Sequence, residues 1–205
     1  LALSAGGAIT LLAQRCGNHP HGVRLSCSPR LDRIVRVGMP VRVSRDRIDI
    51  DHDAIVVLLE GARTWTPALQ PGMFAGDAQA IDSLLTAERL LRQRAAGSHS
   101  EFLAVALGVE TERTPLASRV TEFLPLLSAA WRAAHARDTF DAIARVIGLG
   151  PGLTPAGDDF VIGWLAGMAL SARSEPQARF LHAVCADLAG LRAATTPVSW
   201  QHLDD

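Results

Sequence analysis

The residues with the most chemical content lie in one segment, Gly148-Leu149-Gly150-Pro151-Gly152-Leu153-Thr154-Pro155-Ala156-Gly157-Asp158-Asp159. Four glycines and two prolines in ten positions exclude helix and strand there. Glycine permits positive φ and close approach of a ligand, and proline holds the path rigid, so binding geometry is set before a ligand arrives. The segment ends where a helical pattern begins, and the unpaired N–H groups and dipole of a helix start attract an anion such as phosphate or carboxylate. Gly150, Gly152, Leu153, Thr154 and Gly157 are therefore candidate ligand-binding residues, and Asp158 and Asp159 the candidate catalytic pair.

The aspartates admit more than one role. A carboxylate in the first turn can itself cap the helix. Adjacent helical residues point about 100° apart, so one of the two is expected to cap and the other to bond a ligand, a Mg²⁺ ion or an arginine. Further oxygen ligands cannot be placed, so no metal site is assigned; no cofactor is expected, and Mg²⁺ stays open as an alternative.

Other candidates surround the loop. Arg145 precedes it by about one helical turn and is read as ligand-binding, against the alternative of a solvated arginine at a helix end. Arg192 precedes Thr195 and Thr196 in the same way. Thr195, Thr196 and Ser199 can bond an anion or start a new helix. His202 lies near Ser199, but without an acid and an oxyanion hole it is read as a surface histidine. Cys185, beside Leu181 and Leu188, reads as a small core residue. Trp131, Trp164 and Trp200 read as core or interface fillers, and Gly163 and Gly167 as a smooth face for close helix packing. HExxH, GxSxG, Walker and post-strand GxGxxG patterns are all absent from the sequence.

Composition narrows the classes. The chain has 205 residues, 20 basic against 21 acidic, a net charge of -1 and 48% hydrophobic residues, which excludes a disordered tail, a collagen-like chain and a strongly basic nucleic-acid binder. Every basic residue is arginine, so lysine-imine and P-loop lysine chemistry are excluded. Cys16, Cys27 and Cys185 form no CxxC pair, which speaks against a disulfide framework and for a reducing cytoplasm. The apolar run Phe160 to Leu170 is about half of the ~20 residues a membrane span needs, so no span is expected. Leu1 to Ala13 lacks a basic flank and an initiating Met, and reads as the start of a trimmed chain rather than a signal peptide.

The elements that must position the loop have two grammars. Up to about residue 70 the chain is short-period and punctuated. Gly22 to Cys27, Val35 to Val37, Val41 to Ser44 and Arg47 to Asp51 alternate, and Ile55 to Leu59 is a continuous run of buried type. Half-buried antiparallel strands in a small barrel or sandwich are expected. From residue 71 the period is helical. Asp77 would cap a helix with an apolar stripe of Ile81, Leu84, Leu85, Leu90 and Leu91, and Ser98 to Glu101 would box a second. A third runs from Pro115 or Leu116 to about Arg137 with a kink or break at Pro125, a fourth from Asp138 to Ile147, a fifth from Asp158 to Ala172 and a sixth from Glu175 to Arg192. The expected fold class is α+β: a β-rich part over 1–70 and an α-helical part over 71–205.

The string GLGPGLTPAGDDFVIGWLAG resembles the signature of the AllH-like family, a bacterial family once of unknown function that includes a subunit of the oxamate carbamoyltransferase complex of anaerobic allantoin catabolism. In that family a β-rich part precedes a helical part carrying G-x-G-x-G-L-T-P-[SA]-G-D-D. Thr195 to Ser199 resembles a second block, and Trp65 with Pro67 a third. The resemblance implies a part in carbamoyl transfer. Its implied ligands are carbamoyl phosphate, phosphate, oxamate or oxalurate, and its implied partners other carbamoyltransferase subunits, with a homo-oligomer as a further expectation. Relatives continue beyond the position of Asp205, so a terminal helical part is expected to be missing here. Carbamoyl phosphate is already activated, so donors for the phosphate and the developing oxyanion would suffice. Two alternatives stand beside this: a non-catalytic ligand-sensing or assembly subunit, and a Mg²⁺-dependent hydrolase or phosphotransferase using the aspartates.

Overall fold

A computed structural model of the chain describes residues 8–27, 29–66, 78–95, 101–109, 114–172 and 174–204. It divides into two compact units, Leu1–Ala68 and Leu69–Asp205.

The first unit holds the strands. β1 (Thr10–Leu12) and β2 (Gly22–Arg24) pair with each other, and β3 (Val41–Val43), β4 (Arg47–Ile50) and β5 (Ile55–Leu58) form a separate sheet in that order. The class is α+β as expected, but the strands close no barrel: they form sheets of two and three. The antiparallel expectation holds for β3, β4 and β5, where Arg42 sits opposite Asp49 and Asp49 opposite Val56. β1 and β2 instead run parallel, with Thr10 opposite Gly22. Val35 to Val37 forms no strand, because the short helix α1 (Leu31–Ile34) ends at a cap on Val35 and leaves Val37 in solvent.

The buried run proves to be an edge. On β5, whose one strand neighbour among the described residues is β4, Val56 and Leu58 on one face are exposed while Ile55 and Val57 on the other are half-buried. β4 lies between two neighbours, and Ile48, Asp49 and Ile50 are all buried, so its alternation does not divide core from water. Arg47 reaches Asp49 at 3.2 Å and supplies a counter-charge there.

The second unit is helical: α2 (Ala78–Ala95), α3 (Glu101–Ala106), α4 (Pro115–Arg132), α5 (Ala136–Ala144), α6 (Ala156–Ser171), α7 (Glu175–Asp187), a 3-10 segment (Leu188–Ala194) and α8 (Pro197–Asp204). Asp77, Ser98 to Ser100 and Pro67 lie outside the described residues. The stripe of α2 gives a helix as expected, yet Ile81, Leu84, Leu85, Leu90 and Leu91 are exposed. A helical period specifies an amphipathic face, not what covers it.

α4 runs unbroken through Pro125, held on both sides of it by the buried Phe123 and Leu127. The break comes later, at Ala133 to His135, where Ala134 takes φ 52°. Pro115 follows an N-cap, Thr114, whose hydroxyl accepts the Ala117 N–H at 3.1 Å. α7 starts on a capping box of Ser174 and Gln177.

The core of this unit gathers Val120, Phe123 and Leu127 of α4, Ile143 of α5, Val161 of α6 and Val184 of α7, with Val146 and Ile147 after α5. Trp200 is buried in it, and Trp131 packs edge-on against Trp164 at 5.9 Å and Phe180 at 5.1 Å, which bears out the core reading of all three tryptophans. Cys185 does not join them: it is exposed. Gly163 and Gly167 also face open space, since a Cβ added at either would meet nothing within 4 Å, so among the described residues no helix packs closely on that face.

Candidate functional site

The loop between α5 and α6 is built on glycines at positive φ: Gly148 at 78°, Gly150 at 116° and Gly152 at 99°. Two further constraints are steric. A Cβ on Gly148 would stand 2.1 Å from the Ala194 carbonyl oxygen, and one on Gly157 2.0 Å from that of Val146. Only a hydrogen side chain lets the start of the loop lie against the end of the 3-10 segment, and the first turn of α6 against the end of the preceding helical run.

The aspartate pair separates into two environments. Asp158 is fully buried and Asp159 exposed. α6 has Pro155 as its N-cap and no side-chain cap bond, so neither aspartate caps it, contrary to expectation. The Asp158 carboxylate reaches outside its own helix. Its Oδ1 accepts the Gly148 N–H at 2.7 Å, and its Oδ2 accepts the Thr195 hydroxyl. Bonds to an ionised acceptor are the strong ones, so one buried charge pins both ends of the site. A metal between the pair would have to displace one of these donors, and among the described residues no three His, Cys, Asp or Glu side chains converge on a metal position.

Thr196 makes a second tie. Its hydroxyl donates to the Leu153 carbonyl and accepts the Ser199 N–H at 3.1 Å, the arrangement of a helix cap at the start of α8. The Gly157 N–H donates to the Leu149 carbonyl at 2.9 Å, and the Asp158 and Asp159 N–H groups turn back to Pro155. Much of the α6 start is thus occupied from within. The amides of Gly150, Gly152, Leu153 and Thr154 bond no described residue, and Gly152, Leu153 and Thr154 are exposed.

The Asp159 carboxyl is pushed above the ordinary carboxylate range. Its side chain reaches solvent, yet desolvation by the neighbouring protein is the largest cause, followed by the Asp158 charge, with His202 acting in the opposite sense. His202, read in the sequence as a surface histidine, is half-buried on α8, one helical turn after Ser199. Ser199 is fully buried, and among the described residues its hydroxyl oxygen has no partner.

The structure thus gathers Gly148 to Asp159, Thr195, Thr196 and Ser199. Arg145 is not drawn into that set. It is exposed at the C-terminal cap of α5, where it lines a groove of about 430 Å³ with Leu126, Ala129, Asp138 and Asp141. Arg192 is exposed on the 3-10 segment.

Residues 146–205 match the family model of oxamate carbamoyltransferase subunit AllH. The matched segment opens at Val146, whose carbonyl lies against Gly157, and takes in the loop and every element after it. Both hydroxyl ties therefore join two parts of the matched segment, the loop and the Thr195 to Ser199 block, which are the two strings within it that carried the resemblance. No match was found among curated proteins or among solved structures. Among the described residues no helix is long and apolar enough to cross a membrane.

Proposed function

We propose that the loop binds a small anionic metabolite of the carbamoyl phosphate, phosphate, oxamate or oxalurate class, and that the protein takes part in carbamoyl transfer as a subunit or homologue of an oxamate carbamoyltransferase. One observation carries this reading: the amides of Gly150, Gly152, Leu153 and Thr154 are unpaired among the described residues while the loop bearing them is tied down by Thr195 and Thr196. Donors fixed in advance favour an anion because they need no reorganisation when it arrives. The AllH match supplies the chemical class.

In this reading Gly150, Gly152, Leu153 and Thr154 donate to the phosphate or to the oxygen that becomes negative during carbamoyl transfer. Gly157, Thr195, Thr196 and Ser199 hold the walls. Asp158 is a positioning residue, because both its oxygens are engaged, and Asp159 is the carboxyl that faces the ligand. Its raised pKa suits a group that accepts and returns a proton. Partner subunits and a reducing, cytoplasmic setting belong to the same reading, the latter supported by free thiols at Cys16, Cys27 and Cys185.

The engagement of Asp158 favours a second reading, a ligand-sensing or assembly subunit with the same anion site and no chemistry of its own. Thermal-shift titration with carbamoyl phosphate, phosphate, oxamate and Mg²⁺ tests the shared core of both readings. A ligand that binds the folded state raises the melting temperature as RT ln(1 + [L]/Kd). Stabilisation by the anions is expected; a response to Mg²⁺ alone, or to nothing, would sink both. Turnover of carbamoyl phosphate with oxamate separates them.

A further inference from the structure

Two surfaces of the helical unit lack a cover among the described residues, and their chemistry matches. The first is α2, whose apolar stripe is exposed and whose main neighbour among the described elements is α3. Arg92 is committed to that side: its guanidinium bonds Glu88 at 2.8 Å and the Leu107 carbonyl. Asp82, Leu85 and Arg89 stand at i, i+3 and i+7 and form one exposed stripe. The second surface is the groove of about 430 Å³ between α4 and α5. Four alanines line it, which leaves room for large side chains from outside, and Asp138, Asp141 and Arg145 line it from α5 and its C-cap. The two stripes carry the same charges in the same order. Asp138 and Arg145 are seven residues apart, as Asp82 and Arg89 are, a separation of about 10 Å along either helix axis. With α2 laid antiparallel on α5, Arg89 faces Asp138, Asp82 faces Arg145, and Leu85 comes down between the two pairs over Ala142. A parallel arrangement would set like charges opposite each other, and the antiparallel one also opposes the helix dipoles. Asp82, Arg89 and Arg145 have no side-chain partner among the described residues. Asp141 is held by Arg137 at 3.2 Å, and the contact of Asp138 with His135, 3.2 Å between two exposed groups, is of a kind that contributes little.

We infer that α2 of a second copy of this chain lies in the α4–α5 groove, antiparallel to α5, and that the exchange is reciprocal. The Arg92 bond to Leu107 keeps α2 against α3 of its own chain, so the helix that fills the groove comes from another copy. Each copy carries both surfaces, and a two-fold axis therefore makes the contact twice. The pairing is independent of the reading of the loop as an anion site. Because it lies between chains, truncation of Leu85 acts on association and not on the unfolding of the dilute chain.

Sedimentation of the full chain over a range of concentrations tests this with the wild type, Asp82→Arg, Arg145→Asp, the double variant and Leu85→Asp. All three positions are exposed, so the core is untouched, and circular dichroism of the same samples reports that each variant folds. The wild type is expected to sediment as a dimer. Either reversal sets like charges face to face at both contacts and should weaken dimerisation at least about tenfold. Leu85→Asp should weaken it as well, by burying a charge in the apolar contact. The double variant should recover the dimer. An equimolar mixture of Asp82→Arg and Arg145→Asp should recover it too, because both contacts of the mixed dimer then join opposite charges. A monomeric wild type overturns the inference, and so does a dimer that survives either reversal or Leu85→Asp. Reversals that weaken the dimer without recovery in the mixture would show that the two charges do not meet across the interface, and overturn it likewise.

Discussion

The hydroxyl of Thr195 donates to the carboxylate of Asp158, a bond between residues 37 positions apart that joins the first turn of α6 to the chain leading into α8. The other oxygen of the same carboxylate takes the Gly148 N–H. A single buried charge therefore closes the site from two sides, and its removal should be felt first as stability. Asp158→Ala leaves two part-buried donors, the Gly148 N–H and the Thr195 hydroxyl, without their acceptor and is expected to cost about 3 kcal/mol in chemical denaturation. Thr195→Val should cost about half as much. The double variant should lose less than the sum, because the two side chains share one bond; strict additivity would count against the tie.

Glycine substitutions should divide sharply by position. Gly148→Ala and Gly157→Ala drive a methyl group into a carbonyl oxygen, and each is expected to lower stability by at least about 2 kcal/mol. Gly163→Ala and Gly167→Ala meet open space on α6 and should raise stability by about 0.5–1 kcal/mol through helix propensity. Melting curves of the four variants decide the matter.

Asp159 should act on stability with a pH dependence of the opposite sense to a salt-bridged carboxylate. Its folded pKa is raised above the ordinary 3.8, so folding favours the protonated form. The resulting penalty is fully present above the folded pKa and disappears as pH falls below the unfolded value. Asp159→Asn is therefore expected to be more stable than the wild type at neutral pH, with the difference shrinking on acidification. A variant less stable at neutral pH would show that the carboxylate is held by a favourable partner.

Leucines in the second unit should differ by element. Leu127→Ala opens a cavity at the centre of α4 and should cost about 2–5 kcal/mol, whereas Leu84→Ala and Leu85→Ala on the exposed face of α2 should stay within about 0.5 kcal/mol. A large loss at Leu84 in urea unfolding would show that the α2 face is covered in solution.

Thiol reactivity should separate two exposed cysteines. Burial of its surroundings pushes the Cys185 thiol up even though the residue reaches solvent. The thiolate is the reactive form. Iodoacetamide at neutral pH should therefore modify Cys27 before Cys185, with the gap narrowing as pH rises; peptide mass mapping over time reads the order.

The sequence by itself determined what is local. The glycine and proline spacing of the loop, the alternation of β3 and β4, the helical period of α2 and the start of α7 depend on neighbours within a few residues, where steric and periodic rules act directly. The restriction of every fixed positive charge to arginine was equally legible. Tertiary structure decided what depends on distant partners. Nothing in the composition of β5 shows that, among the described residues, β4 alone would pair with it, and nothing in the amphipathic period of α2 shows that its apolar face would remain exposed. The two aspartates are chemically identical and adjacent in sequence; only the placement of Gly148 and Thr195 engages both oxygens of one, while desolvation and the neighbouring Asp158 raise the pKa of the other. Burial and charge pairing are set by which parts of the chain meet, and a linear string does not contain that information in any local pattern.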